Sequence, residues 1–270
     1  SSVTEEADLG LLLVPAAGGV SGERDPRAAA QAAVDGFVIY SMSDEEQLLA
    51  TALDRRLPTV VVDQPFKERV PFVGVDDEAA ARTAAEHLLD LGHVRFAVVS
   101  FALSPDVRNG IANPLRQERA AFQVSRLRLR GYRAALEDAG LPWSKVPVYE
   151  CPGSSKAYGQ RAAGALLSPE RRPTAILASS DQLALGVIAW ATERGLFVPE
   201  EVSVVGFDDI PAAARADPPL TTVHQDHAEK GLLAGRMLVS QLRKKEGPSA
   251  GPLATSLVVR GSTSSPPRRR

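Results

Sequence analysis

The sequence predicts an α/β fold built on parallel sheets, and three observations carry the prediction. Short apolar runs of four to six residues recur along the chain without polar alternation, which marks strands covered on both faces. Segments of helical period separate these runs, so strand–helix–strand units repeat with the right-handed crossover such units require. Aromatic residues make up only 5% of the 270 residues and alanine is frequent, a composition suited to small-residue helices packed on sheets.

The strand-like runs, in order, are Leu9–Val14, Gly36–Tyr40, Thr59–Asp63, Phe72–Val75, Phe96–Ser100, Val146–Tyr149, Ala175–Ala178, Val202–Gly206 and Ser256–Arg260. The helical segments are Pro26–Val34, Asp44–Arg56, Asp77–Leu91, Gln117–Ala139, Ser155–Leu167, Asp181–Arg194 and Asp226–Lys245. Their punctuation is consistent. Gly92, Gly140 and Gly195 follow three of these helices, where a left-handed residue closes the last turn, and Pro142 and Pro199 lie just beyond two of them. Asp181 reads as a helix cap. The polar stretch Ser104–Pro114 reads as a loop, and Gly261–Arg270 as a disordered tail.

Bulk properties narrow the function. A net charge of −2 offers no general electrostatic trap for nucleic acid. A single cysteine, Cys151, cannot form an internal disulfide and fits a reducing compartment. No run has the length of a membrane span, and the start lacks the basic region and cleavage site of a secretion signal.

Several chemistries are tested and set aside. The turn Ala16–Gly22 lacks both the Gly-Lys-Ser/Thr of a P-loop and the spacing of a dinucleotide fingerprint, so it reads as an ordinary loop and no cofactor is expected. No Gly-x-Ser-x-Gly elbow is present. His87, His93, His224 and His227 have no ligand pairing for a metal; His87 and His93 read as structural.

What remains are polar groups at strand ends, where open parallel sheets bind ligands. Ser179, Ser180 and Asp181 follow one buried strand, and Asp208 and Asp209 follow the next. Asp63 ends an earlier strand. Arg128 points away from the face shared by Arg126 and Arg130, and is placed to donate to a ligand. Carboxylates paired with such donors suit a polyol, or else a glycosidase with Asp63 and Asp208 as its two acids.

The motifs taken together resemble the lactose/purine repressor-type (LacI/GalR) family of bacterial transcription regulators, in its effector-binding region. They are VDGFVIY at Val34–Tyr40, LPTVVVDQP at Leu57–Pro65 and FVGVDDEAAARTAAEHLLDLGHVRFAVVS at Phe72–Ser100. RLRGYRAALEDAGL follows from Arg128, then SSDQLALG from Ser179, VPEEVSVVGFDDI from Val198 and PPLTTVHQD from Pro218. Their order and spacing run from about Val3 to about Arg260.

The resemblance implies two similar doubly wound parallel-sheet lobes with three crossovers, as in type I periplasmic binding proteins. It implies an N-terminal lobe of 1–74 plus 228–247 and a C-terminal lobe of 75–227 plus 248–270. Relative to that pattern, the opening strand and most of the first helix of the N-terminal lobe are missing, as is the helix-turn-helix headpiece. The family's ligand positions fall on Asp63, Arg128, Ser180, Asp208 and Gln225, with Asn the frequent family residue where Ser180 stands. An aromatic stacking residue found in some members is replaced by Pro152–Ser155, leaving Tyr40, Phe101 or Tyr158 as stacking candidates.

The expected function is that of a cytoplasmic, homodimeric DNA-binding repressor, not an enzyme. A small polar ligand, foremost a sugar, is its effector, and operator DNA is reached through the headpiece. The alternative is a periplasmic sugar-binding protein of a transport system.

Overall fold

The computed structural model describes residues 2–14, 27–168, 172–248 and 251–267, and it divides into two compact units. The smaller comprises Ser1–Val75, Ala121–Gln123 and Asp226–Leu253; the larger comprises Asp76–Ala120, Val124–Gln225 and Ala254–Arg270.

In the smaller unit, strands β1 (Phe37–Tyr40), β2 (Thr59–Val62) and β3 (Phe72–Val73) form a parallel sheet in that order. β2 is buried at every position, and its residues alternate between two cores. Val61 packs with Ile39, Leu48, Leu49 and Ala52, under α2 (Arg27–Gln31) and α3 (Gln47–Asp54). Val60 and Val62 pack with Val73, Ala234 and Met237, under α10 (His227–Leu242). A strand covered on both faces has no polar face to show, which is why its sequence reads as an unbroken apolar run.

The larger unit holds a seven-stranded sheet. Its strands are β4 (Phe96–Ser100), β5 (Gly110–Ile111), β6 (Val148–Glu150), β7 (Ala175–Ala178), β8 (Ser203–Asp208), β9 (Thr221–Gln225) and β10 (Thr255–Val258). Their order is β10-β9-β8-β7-β4-β6-β5, with parallel pairing from β9 to β6 and antiparallel strands at the two edges. Phe96 and Val98 face one core, with α4 (Asp77–Asp90) and α6 (Gln123–Asp138). Ala97 and Val99 face the other, with α7 (Lys156–Leu166) and α8 (Asp181–Glu193). The sheet is therefore doubly wound, as the strand–helix alternation predicts.

The chain order within this sheet creates a switch point. From β4 the chain moves outward to β6, returns past β4 to β7, and then continues to β8 and β9. Between β4 and β7 the crossovers depart to opposite faces, and the carboxyl ends of strands at such a point are where open parallel sheets bind ligands.

Four expectations need correction. Leu9–Val14 forms no strand; Leu11, Leu12 and Leu13 are 70%, 59% and 80% exposed. An apolar run becomes a strand only where a neighbouring backbone completes its ladder, and here none does among the described residues. The segment Gln117–Ala139 is two helices, α5 (Pro114–Glu118) and α6. Asn113 and Pro114 start the first, since Asn113 accepts from the Arg116 N–H and proline suits the first helical turn. The tail is ordered as far as it is described: Ser262 is fully buried, donating from Oγ to the Val204 carbonyl and accepting from the Thr221 N–H. Its polar composition marks hydrogen bonding to β8 and β9 rather than disorder. The helix cap at α8 is Ser180, whose Oγ accepts from the Leu183 N–H at 3.3 Å; Asp181 turns inward instead. The glycine-rich turn Ala16–Gly22 lies outside the described residues, as do the last three of the tail.

Candidate functional site

The site is assembled at the switch point of the larger unit. α6 runs past the carboxyl ends of β4 and β7, and Gly131 lets it lie against α4 at close range. A Cβ on Gly131 would stand 2.1 Å from the Glu78 carbonyl oxygen, so only glycine permits this approach. One turn earlier on the same helix, Arg128 is buried at 5% exposure.

The Arg128 guanidinium is anchored through two of its nitrogens. Its Nε donates to Asp77 Oδ1 at 2.8 Å and its Nη1 donates to the Ser179 carbonyl at the end of β7. Asp208 Oδ1 lies 3.8 Å from Nη1. The Phe207 ring centroid lies 3.4 Å from Cζ and that of Phe101 lies 5.7 Å away, so aromatic faces flank the cation. Burial would lower the Arg128 pKa, but the charges of Asp77 and Asp208 outweigh it and hold the group above its ordinary value.

Asp208 ends β8 in an unusual conformation, with φ at 115°, and Asp209 follows at 56°. Non-glycine residues pay for positive φ, and such positions concentrate where the backbone is held for function. Gln225, the last residue of β9, donates from Nε2 to Asp208 Oδ1 at 2.6 Å. Ser180 Oγ, besides capping α8, lies 2.6 Å from Ser154 Oγ on the loop before α7. Asp209 is occupied elsewhere, accepting from Arg260 at 2.7 Å and facing His224 Nδ1 at 3.0 Å.

Beneath these groups sits Asp181. It accepts from the Thr222 hydroxyl and from the Ile210 N–H, tying α8 to the turn after β8. Gly206 on β8 makes room for it: a Cβ there would come within 2.3 Å of Asp181 Oδ1. Burial pushes the Asp181 carboxyl up to about 7, with Asp208 and Asp209 adding to the rise against its two hydrogen bonds.

Of the five residues expected to meet a ligand, Arg128, Ser180, Asp208 and Gln225 converge in the larger unit. Asp63 belongs to the smaller unit, at the end of β2, with φ at 64°. There it pairs with Lys230, which is 3% exposed on α10. Among the stacking candidates, Phe101 shares the site through Arg128, and Tyr158 is half-buried against the α7–α8 core. Tyr40 is 61% exposed at the end of β1.

Asp77, Lys230 and Ser154 were not foreseen. A faint signal exists for Asp77: two consecutive acids, Asp76 and Asp77, stand at the start of α4, and one suffices to cap it. Among the described residues no three His, Cys, Asp or Glu side chains form a metal site. Nor, among the described residues, is any helix long and apolar enough to cross a membrane. Chemically, the arrangement offers carboxylate acceptors, a guanidinium donor, an amide and a hydroxyl beside aromatic faces. Such a set can both donate to and accept from the polar groups of a small ligand.

Comparison with known proteins agrees with this geometry. Residues 85–263 match the periplasmic binding protein-like domain family. An HTH-type transcriptional regulator of Mycolicibacterium smegmatis is 38% identical over 97% of this chain and 72% of its own length. The crystal structure of a LacI-family transcriptional regulator from Corynebacterium glutamicum superposes with a TM-score of 0.82 at 32% identity, covering 90% of this chain and 72% of that one. The transcriptional regulator CelR in complex with cellobiose superposes with a TM-score of 0.77 at 28% identity, covering 97% of this chain and 76% of that one. With sequence, family match and topology in agreement, the chain belongs to the LacI family of transcriptional regulators and carries their periplasmic-binding-protein-like, ligand-binding domain.

Proposed function

We propose that this chain is the effector-binding and dimerisation domain of a cytoplasmic LacI-type repressor, and that a sugar is its effector. Arg128, Ser180, Asp208 and Gln225 contact the ligand from the larger unit, and Asp63 from the smaller. Asp208 and Asp63 accept from ligand hydroxyls, Arg128 donates to ligand oxygens, and Ser180 and Gln225 complete the polar set. Phe101 lines the site, with Tyr40 and Tyr158 as further rings for stacking.

One observation carries the reading: Arg128, Asp208 and Gln225 converge at the switch point, with Asp208 held at a φ of 115°. A strained acid bonded to an amide and close to a buried cation is costly to fold and needs a use. The cellobiose bound by CelR supports a sugar as the ligand class. Binding rather than bond cleavage suits the arrangement, because Asp208 is committed to Gln225 and lies beside the Arg128 cation.

The ligand acts by favouring one conformation of the dimer, which alters the fit of two DNA-binding headpieces to two half-sites. By linkage, ligand and operator change each other's affinity by the same factor. A thermal-shift screen of mono- and disaccharides tests the assignment. A sugar present at about 100 times its Kd stabilises the folded chain by about 2.7 kcal/mol. Asp208→Ala abolishes that shift. An undiminished shift in the variant overturns the site assignment.

A further inference from the structure

Asp77 is the residue of this site that neither capping nor packing explains. The cap of α4 is already supplied by Asp76, whose carboxylate accepts from the Ala79 N–H at 3.0 Å. Asp77 is nevertheless 4% exposed, in the first turn of α4, with its Oδ1 directed at Arg128 Nε. The helix N-terminus and the adjoining guanidinium both favour a carboxylate at that place. Arg128 then lies between two carboxylates, Asp77 at 2.8 Å and Asp208 at 3.8 Å. The guanidinium therefore faces a carboxylate on each of two elements, α4 and β8.

We propose that Asp77 is the positioning residue of the ligand site and sets its charge preference. It fixes the guanidinium plane through Nε, leaving Nη donors to serve ligand oxygens. It also cancels the charge of Arg128, so that the site accepts an uncharged, hydroxyl-rich ligand and rejects phosphorylated or carboxylated ones. The inference rests on the reading that Arg128 and Asp208 meet the effector, and it adds the ligand's charge. An anion approaching Arg128 meets two fixed carboxylates where burial strengthens the repulsion. Sugar hydroxyls can donate to these carboxylates, and phosphate dianions cannot.

The test follows the Arg128 Nε–H resonance by NMR in the wild-type chain, Asp77→Asn and Asp77→Glu, alongside affinities by calorimetry. The probes are inorganic phosphate, glucose, cellobiose, glucose 6-phosphate and gluconate. In the wild type, phosphate at constant ionic strength leaves the resonance in place. Any sugar that binds does so at least about tenfold more tightly than its phosphorylated or carboxylated counterpart. In Asp77→Asn the resonance moves saturably with phosphate and the neutral-over-anion ratio falls by about tenfold or more. Asp77→Glu restores the wild-type ratio.

Saturable phosphate binding to the wild type overturns the proposal, as does Asp77→Asn that is folded yet unchanged in its response to phosphate. Failure of the underlying reading looks different. The phosphate response then depends on residue 77 as expected, but no sugar in the wider saccharide screen perturbs Arg128.

Discussion

Replacing Gly131 by alanine is the sharpest test of how the site is built. The added Cβ would lie 2.1 Å from the Glu78 carbonyl oxygen and 2.9 Å from both the Ala81 Cβ and the Arg82 nitrogen. Backbone atoms of α4 cannot swing aside as a flexible side chain would. For an ordinary contact of 3.4 Å, the two helices must separate by about 1.3 Å at this point. Overpacking of this kind costs about 1–3 kcal/mol, which for a protein of this size lowers Tm by roughly 3–10 °C. The same displacement stretches the 2.8 Å bond from Arg128 Nε to Asp77, one turn away, to about 4 Å, beyond hydrogen-bonding range. Differential scanning calorimetry with and without a sugar that binds therefore shows two losses: a lower Tm for the free chain and a smaller ligand-induced shift. Gly231→Ala is the control, because nothing lies within 4 Å of a Cβ there and it sits in α10. That change raises helix propensity by up to about 1 kcal/mol and leaves ligand binding intact. A Gly131→Ala chain that melts within a degree of wild type and binds sugar normally would refute the account of the α4–α6 contact.

Two further perturbations follow from buried charges. The Asp181 carboxyl, pushed up to about 7 chiefly by burial, holds a proton in the folded chain that the unfolded chain releases near 3.9. Its contribution to stability is thus complete below the unfolded value and is lost as pH rises through the folded one. Asp181→Asn flattens the dependence of Tm on pH between about 4 and 7 relative to wild type; parallel curves for the two proteins would contradict this. Glu150, fully buried at the end of β6, accepts from Arg116 at 2.7 and 2.9 Å and from the Leu103 N–H at 3.0 Å. Glu150→Ala strands the Arg116 charge and the Leu103 amide, and urea unfolding registers a loss of about 3–5 kcal/mol. A loss below about 1 kcal/mol would show that Asp106, also bonded to Arg116, suffices alone.

Much of the fold is legible along the chain because the physics there is local. β2, β4 and β7 read as strands because every residue in them is buried, whichever face it points to. β9 is missing from the strand-like runs, since Thr221, Thr222 and Gln225 are polar yet buried. Their burial depends on partners far away in sequence: Thr222 on Asp181, Gln225 on Asp208 and Thr221 on Ser262. The same holds for the tail, whose serines look like solvent-seeking residues until β8 and β9 are in place beside them.

The candidate site shows the same division. Sequence alone placed Asp63 and Asp208 at strand ends and turned Arg128 away from its charged neighbours, because strand boundaries and helical spacing are read from adjacent residues. Through the order of its motifs it also carried the family. Only tertiary structure decided which partners these groups have. Asp77 and Arg128 are 51 residues apart, and Asp63 and Lys230 are 167 apart. No spacing rule connects such pairs. They meet because Gly131 lets one helix close on another, and because α10 returns to pack on the sheet that holds β2. Charge balance at a buried site is a property of such meetings, so the charge of the ligand is written in the packing rather than in any one motif.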